Sequence, residues 1–279
     1  MSAHAGHLLE IRNVGKTYGS GPKATHAIDD VSFAVDDREF VCVVGPSGCG
    51  KTTLLKCVGG LLRASKGRVL LRGRPVTSPP EEMALVFQEY GRSLMPWSSV
   101  RNNVLMPLRH KDLGRKERKA LVEEALEAVG LTRFIDHYPW QLSGGMQQRV
   151  AIARALAYQP SILLMDEPFA SVDAQTRADL EDLVLRVREE FAVTILFVTH
   201  DIDESIYLSD RVVVLTHAPT EVKEIAEVDL PFPRDQIATK ELPDFTQLRA
   251  HIYRLIRREH VEPAEELATA TTATKGEQE

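Results

Sequence analysis

Eight consecutive residues, Gly45-Pro46-Ser47-Gly48-Cys49-Gly50-Lys51-Thr52, match the pattern G-x-x-x-x-G-K-[ST]. Glycines let a backbone curl so that successive N–H groups face phosphate oxygens. A following helix adds the positive end of its dipole. Lys51 supplies a mobile charge to the β- and γ-phosphates, and the Thr52 hydroxyl is a ligand for Mg²⁺. Cys49 lies inside this loop. A thiol at a helix start is activated when accessible. The plainer reading, and the one preferred, is that the position tolerates a small residue.

A second feature is Ile162-Leu163-Leu164-Met165-Asp166-Glu167-Pro168, an apolar run ending in two carboxylates. Strand ends of an open α/β sheet face the ligand crevice. Asp166 suits Mg²⁺ there. Glu167 points the other way along a strand and suits a base that polarises an attacking water. A third feature is Leu142-Ser143-Gly144-Gly145-Met146-Gln147-Gln148-Arg149. Ser143 is an N-cap, and Gly144 and Gly145 leave N–H groups open at a helix start, which makes a second anion site. One γ-phosphate rarely needs two such sites from one chain, but two chains facing head to tail would use one from each.

These residues resemble the ATP-binding cassette family over about residues 8–217. Leu-Ser-Gly-Gly-x-Gln is that family's signature, and its other motifs occur in order. Tyr18 looks like the aromatic that stacks on adenine. Gln88, in Val86-Phe87-Gln88, looks like the Q-loop glutamine that meets Mg²⁺ and the attacking water. Ser171-Val172-Asp173 looks like the D-loop, with valine where Ala-Leu is more frequent. His200, ending Phe197-Val198-Thr199-His200, looks like the switch histidine.

The resemblance implies MgATP hydrolysis in a dimer, with catalysis by Glu167, His200, Gln88 and Lys51. Nucleotide contacts are expected from Tyr18, from Gly45 through Thr53 (Thr53 included), and from Gln88, Ser143, Gly144, Gly145, Asp166, Asp173 and His200. The metal ligands expected are Thr52, Gln88 and Asp166. By the same resemblance Ser143 and Gly145 meet the γ-phosphate bound by the Lys51 of a second chain. The expected partners are a second copy or related cassette, integral membrane permease subunits, and a periplasmic or extracellular substrate-binding protein. The location implied is the cytoplasmic face of the inner membrane.

Leu94-Met95-Pro96-Trp97-Ser98-Ser99-Val100-Arg101-Asn102-Asn103-Val104 is similar to a pattern of nitrate, sulfonate and taurine importers. So is Leu230-Pro231-Phe232-Pro233-Arg234. The alternatives kept open are another transporter of the family and a soluble cassette ATPase acting on DNA or ribosomes.

The elements that must position these residues are legible as well. Unbroken apolar runs at Phe40–Val44, Ile162–Met165, Thr194–Val198 and Val212–Leu215 predict strands buried on both faces of a parallel sheet. Helical stripes lie at Leu121–Val129 and Leu180–Val187. Leu8–Val14 and Ala27–Val35 read as an antiparallel pair joined at Gly19-Ser20-Gly21-Pro22. The expected organisation is therefore an α/β P-loop cassette. It has a flexible start at 1–7, a nucleotide domain at 8–217 with an inserted helical subdomain at about 90–158, a C-terminal extension at 218–260 and a disordered tail at 261–279. Phe245, Leu248, Ile252, Leu255 and Ile256 form a stripe read as packing on its own domain.

The chain has 279 residues, 43% hydrophobic and 27% charged, with net charge −6. That charge is the wrong sign for a nucleic-acid protein dominated by phosphate binding. No apolar run reaches the roughly 18–20 residues of a bilayer span. Cys42, Cys49 and Cys57 lack the spacing of a zinc site or disulfide framework.

Overall fold

The computed structural model describes residues 6–88 and 90–258. The tail expected at 261–279, and residues 1–5 of the expected flexible start, lie outside them. The strands are β1 Leu9–Tyr18, β2 Thr25–Val35, β3 Phe40–Val44, β4 Lys66–Leu71, β5 Arg74–Pro75, β6 Met83–Val86, β7 Ile162–Asp166, β8 Thr194–Val198, β9 Arg211–Leu215 and β10 Thr220–Glu227. The helices are α1 Lys51–Val58, α2 Tyr90–Ser93, α3 Val100–Leu105, α4 Arg115–Ala128, α5 Gly144–Ala157, α6 Ala174–Phe191, α7 Ile202–Leu208, α8 Ala238–Glu241 and α9 Pro243–Arg258.

Every residue of β3, β7 and β8 is buried, as their unbroken apolar runs require. Successive side chains go to opposite faces. Phe40, Cys42 and Val44 join one core cluster, and Val41 and Val43 join the other. The parallel strands run β9-β3-β8-β7-β6. Val43 and Asp166 both pair with Val198, so β3, β7 and β8 end along one edge. The phosphate loop, the acidic pair and His200 all follow those strand ends.

The antiparallel pair β1 and β2 is present, and β1 continues to Tyr18. It does not form a separate sheet. Strand β10 runs parallel to β2 and antiparallel to β9, joining all ten strands in the order β5-β4-β1-β2-β10-β9-β3-β8-β7-β6. Sequence patterning passed over β10 because Thr220-Glu221-Val222-Lys223-Glu224-Ile225-Ala226-Glu227 carries few apolar residues and only Thr220 and Ala226 are buried.

The regular elements within residues 90–157 are all helices or short 3-10 turns. Val104, Val122, Leu126, Val150 and Ala153 are among the buried side chains that hold α3, α4 and α5 together. On α9, Phe245 and Ile252 are fully buried, and Leu248, Leu255 and Ile256 pack on the same core. That stripe therefore faces its own domain.

Candidate active site

Gly50 holds φ 100°, a left-handed conformation that a side chain resists, and it delivers the chain into α1. Lys51 opens that helix and is 5% exposed. Its Nζ donates to the carbonyls of Gly45 (3.0 Å) and Pro46 (3.2 Å), both in the loop. Two carbonyls, with Glu167 Oε1 no nearer than 4.0 Å, leave this buried ammonium able to take up an anion. Cys49 is buried at 1% exposure among core residues, which fits the small-residue reading rather than a reactive thiol. Its carbonyl accepts a hydrogen bond from the Thr220 hydroxyl on β10.

Thr52 Oγ1 donates to Asp166 Oδ1 at 3.1 Å. Burial pushes the Asp166 carboxyl up, Glu167 adds to the rise, and the Thr52 hydrogen bond with Lys56 and Lys51 opposes it. A hydroxyl and a partly desolvated carboxylate side by side are the hard oxygen donors that Mg²⁺ takes. The residues present fit that ion.

Glu167 has φ 42°, uncommon for a residue with a side chain and often associated with function. Its N–H donates to the Val198 carbonyl at 2.9 Å, tying it to β8. Its Oε2 lies 2.8 Å from His200 Nδ1, and its Oε1 lies 4.0 Å from Lys51 Nζ. An ionised carboxylate only accepts, so Nδ1 carries the hydrogen in this pair. One carboxylate is thus held between the phosphate-loop lysine and the histidine.

Tyr18 OH lies 3.2 Å from Thr53 Oγ1, and its ring is 42% exposed beside α1. Gln88 is exposed just past β6, whose last residue Val86 pairs with Met165 on β7. Ser143 caps α5 by accepting from the Met146 N–H at 3.3 Å. Asp173 caps α6, accepting from Thr176 N (3.0 Å) and Thr176 Oγ1 (2.7 Å). Those hydrogen bonds hold its carboxyl below the ordinary range.

The structure thus groups Lys51, Thr52, Asp166, Glu167 and His200. It sets Ser143, Gly144 and Gly145 at the mouth of a different helix, beside Asp173. A Cβ on Gly145 would meet Thr176 Cγ2 at 2.4 Å. Gly145→Ala must therefore displace Thr176 and disturb the Asp173 cap. We expect ATP turnover to fall about tenfold or more, the scale of a small misplacement of groups that meet the phosphate. ATP binding by the same chain should be unchanged. Nucleotide titration beside a steady-state assay checks this.

Beneath His200 lies a network that motif reading did not single out. Thr199, Asp201 and Glu204 line one small cavity with Glu167 and His200. Asp201 caps α7, accepting from Glu204 N at 3.1 Å, and pairs with Arg177 at 3.0 Å. Asp201-Ile202-Asp203-Glu204 carried the signal, a cap residue with Glu three places on after a strand. Glu204 is buried, and desolvation pushes its carboxyl up to about 8. It is therefore neutral in the folded protein at pH 7 and ionised in the unfolded chain. Stability lost to this group grows as pH rises from about 4.5 to about 8. Glu204→Gln should flatten that fall by ~1 kcal/mol per pH unit. Urea midpoints at pH 5, 6, 7 and 8 for both proteins measure it, and parallel curves would contradict the assignment.

A family model described as ABC transporter matches residues 28–170. An uncharacterised ABC transporter ATP-binding protein of Methanocaldococcus jannaschii is 45% identical over 251 residues, 90% of this chain and 92% of that one. The nitrate import ATP-binding protein NrtD of Synechococcus elongatus is 43% identical, over 87% of this chain and 89% of its own length. The bicarbonate transport ATP-binding protein CmpC of the same organism is 41% identical over 96% of this chain, which spans only 41% of it. A solved dimeric ATP-binding cassette in a post-hydrolysis state with ADP and Pi superposes with a TM-score of 0.69. It is 33% identical and covers 79% of this chain and 98% of its own. With its phosphate loop, signature helix and strand-end carboxylates in this arrangement, the chain belongs to the ABC transporter family, as one of its ATP-hydrolysing cassettes.

Proposed function

We propose that this chain is the ATPase subunit of an importer for a small anion. Two copies, or this chain and a related one, would enclose two ATP molecules. The observation that carries the reading is the Glu167 carboxylate held between Lys51 and His200, on the edge that also bears Thr52 and Asp166.

Hydrolysis follows from that arrangement. Lys51 exchanges its two carbonyl partners for β- and γ-phosphate oxygens. Thr52 and Asp166, with Gln88, would hold Mg²⁺, which would supply positive charge to the phosphates. Glu167 takes a proton from the attacking water. His200, donating from Nδ1, keeps that carboxylate oriented. Tyr18 offers its exposed ring to adenine. Ser143, Gly144 and Gly145 supply N–H donors to the γ-phosphate of the facing chain, and Asp173 sits at the same interface. Closure of the pair is what couples ATP to transport.

Import of an anion is supported by the relatives named for nitrate and bicarbonate. The Leu94–Val104 and Leu230–Arg234 segments favour the nitrate, sulfonate and taurine group. No helix among the described residues is long and apolar enough to cross a membrane. In this reading the channel is formed by membrane subunits, with this chain on their cytoplasmic face. A substrate-binding protein outside the membrane would choose the anion.

The test is capture of tagged Glu167→Gln from detergent-solubilised membranes in MgATP. A multispan membrane protein encoded with an anion-binding protein is the expected companion. Ribosomal or DNA-bound partners without any from the membrane would overturn the transport reading.

A further inference from the structure

Arg234, in the Pro-rich stretch before α8, is nine-tenths buried, an unusual place for a guanidinium. Its Nη1 donates to the carbonyls of Ile206 (3.1 Å) and Tyr207 (2.6 Å) in the last turn of α7. Its guanidinium carbon lies 4.3 Å from the centre of the Phe232 ring. Its Nε and Nη2 are buried with no hydrogen-bond partner among the described residues. Desolvation pushes its pKa down to about 10. A buried cation with unmatched donors is a poor way to add stability. Its geometry does something else, pinning the extension to one helix end where carbonyls lack intrahelical partners.

The next residues grip the neighbouring helix. Gln236 Nε2 donates to Glu181 Oε2 (3.0 Å) and Asp182 Oδ1 (2.9 Å) on α6. Lys240 pairs with Glu181 at 3.5 Å and lies 4.8 Å over the Tyr207 ring. Tyr207 OH closes the ring of contacts by donating to Asp182 Oδ1 at 2.6 Å. The span from Arg234 to Lys240 therefore staples α6 to α7 away from the nucleotide edge.

The staple grips the middle of α6 and the last turn of α7, and both helices begin at the site. Asp173 caps α6. Asp201 caps α7 and directly follows His200. A salt bridge from Arg177 to Asp201 ties the two near ends together at 3.0 Å. A helix transmits a shift at one end to the other because its hydrogen bonds are internal. Removing the staple loosens the last turn of α7, which is otherwise held by the burial of Ile206, Tyr207 and Leu208 and by the Arg177 tie.

We propose that Arg234 is a positioning residue for ATP hydrolysis, holding His200 in register through α7, with Gln236 and Lys240 doing the same for Asp173 through α6. The inference rests on the roles assigned above to His200 and Asp173.

The test compares the full chain with Arg234→Met, Arg234→Lys, Lys240→Met and His200→Ala. Steady-state ATPase assays give kcat and KM, and hydrogen exchange reports peptides at 199–208 and 162–166. Arg234→Met should lower kcat about tenfold, the scale of a small misplacement, with KM within about twofold. Exchange should rise at 199–208 and stay constant at 162–166. Arg234→Lys should recover much of the rate, because an ammonium still reaches the α7 carbonyls. Should Arg234→Met fail to fold, Lys240→Met carries the question, with an expected fall in kcat of about threefold. Normal kcat per folded molecule in that set, with His200→Ala inactive, overturns the staple and leaves the site intact. Full turnover by His200→Ala overturns the site reading itself.

Discussion

Glu167→Gln should reduce ATP turnover by about 10²–10⁴-fold, the range for loss of a general base. The substitution keeps shape and removes one charge. His200 Nδ1, 2.8 Å from Oε2, retains an oxygen to which it can donate. Lys51 keeps both loop carbonyls, so phosphate binding should persist. Equilibrium binding of ATP should therefore stay within a few-fold of the unsubstituted protein while steady-state hydrolysis disappears. Near-normal turnover in this variant would remove Glu167 from the mechanism and leave Gln88 and His200 without a base to assist.

Lys51→Met should act on binding instead. Lys51 is buried, and its ammonium is met only by the Gly45 and Pro46 carbonyls, with Glu167 Oε1 at 4.0 Å. That charge is exchanged for phosphate when ATP enters, and charge-assisted hydrogen bonds are the strong ones. Methionine fills the space without it. We expect ATP affinity to fall about 100-fold or more and hydrolysis to be lost with it. The apo protein should change little in stability, because relief of a desolvated ammonium is offset by the loss of its attraction to Glu167. Titration with a fluorescent ATP analogue beside thermal melting separates the two effects. Unchanged ATP affinity would contradict the placement of the phosphates.

Much of this site was legible in the sequence because its pieces are local. The loop at 45–52, the strand-end carboxylates 166–167 and the helix start at 143–145 are contiguous strings whose local backbone shape follows from their own residues. Strands β3, β7 and β8, and β9 from Val212 on, were legible because burial on both faces leaves unbroken apolar runs, as in Phe40–Val44. Strand β10 was not, since its pairing is decided by neighbours β2 and β9 rather than by its own composition. The Glu167–His200 pair joins residues 33 apart, and only the parallel register of β7 and β8 puts them side by side. Glu204 was hidden for a similar reason. A glutamate reads as surface until packing shows it enclosed beneath Thr199, and its raised carboxyl is a property of that enclosure. In the sequence Arg234 is only the end of the string Leu230-Pro231-Phe232-Pro233-Arg234, and its grip on α7 exists only in the folded chain.

The central claim is that each site is completed by a second chain, with Lys51 and Glu167 from one and Ser143 to Gly145 from the other. Light scattering on purified Glu167→Gln, with and without MgATP, tests it most directly. A species of twice the 31.1 kDa chain mass is expected with ATP, holding two nucleotides, with a return to the single mass when Ser143→Arg is added to the same protein. A protein that binds ATP tightly yet stays at the single mass would contradict the shared site.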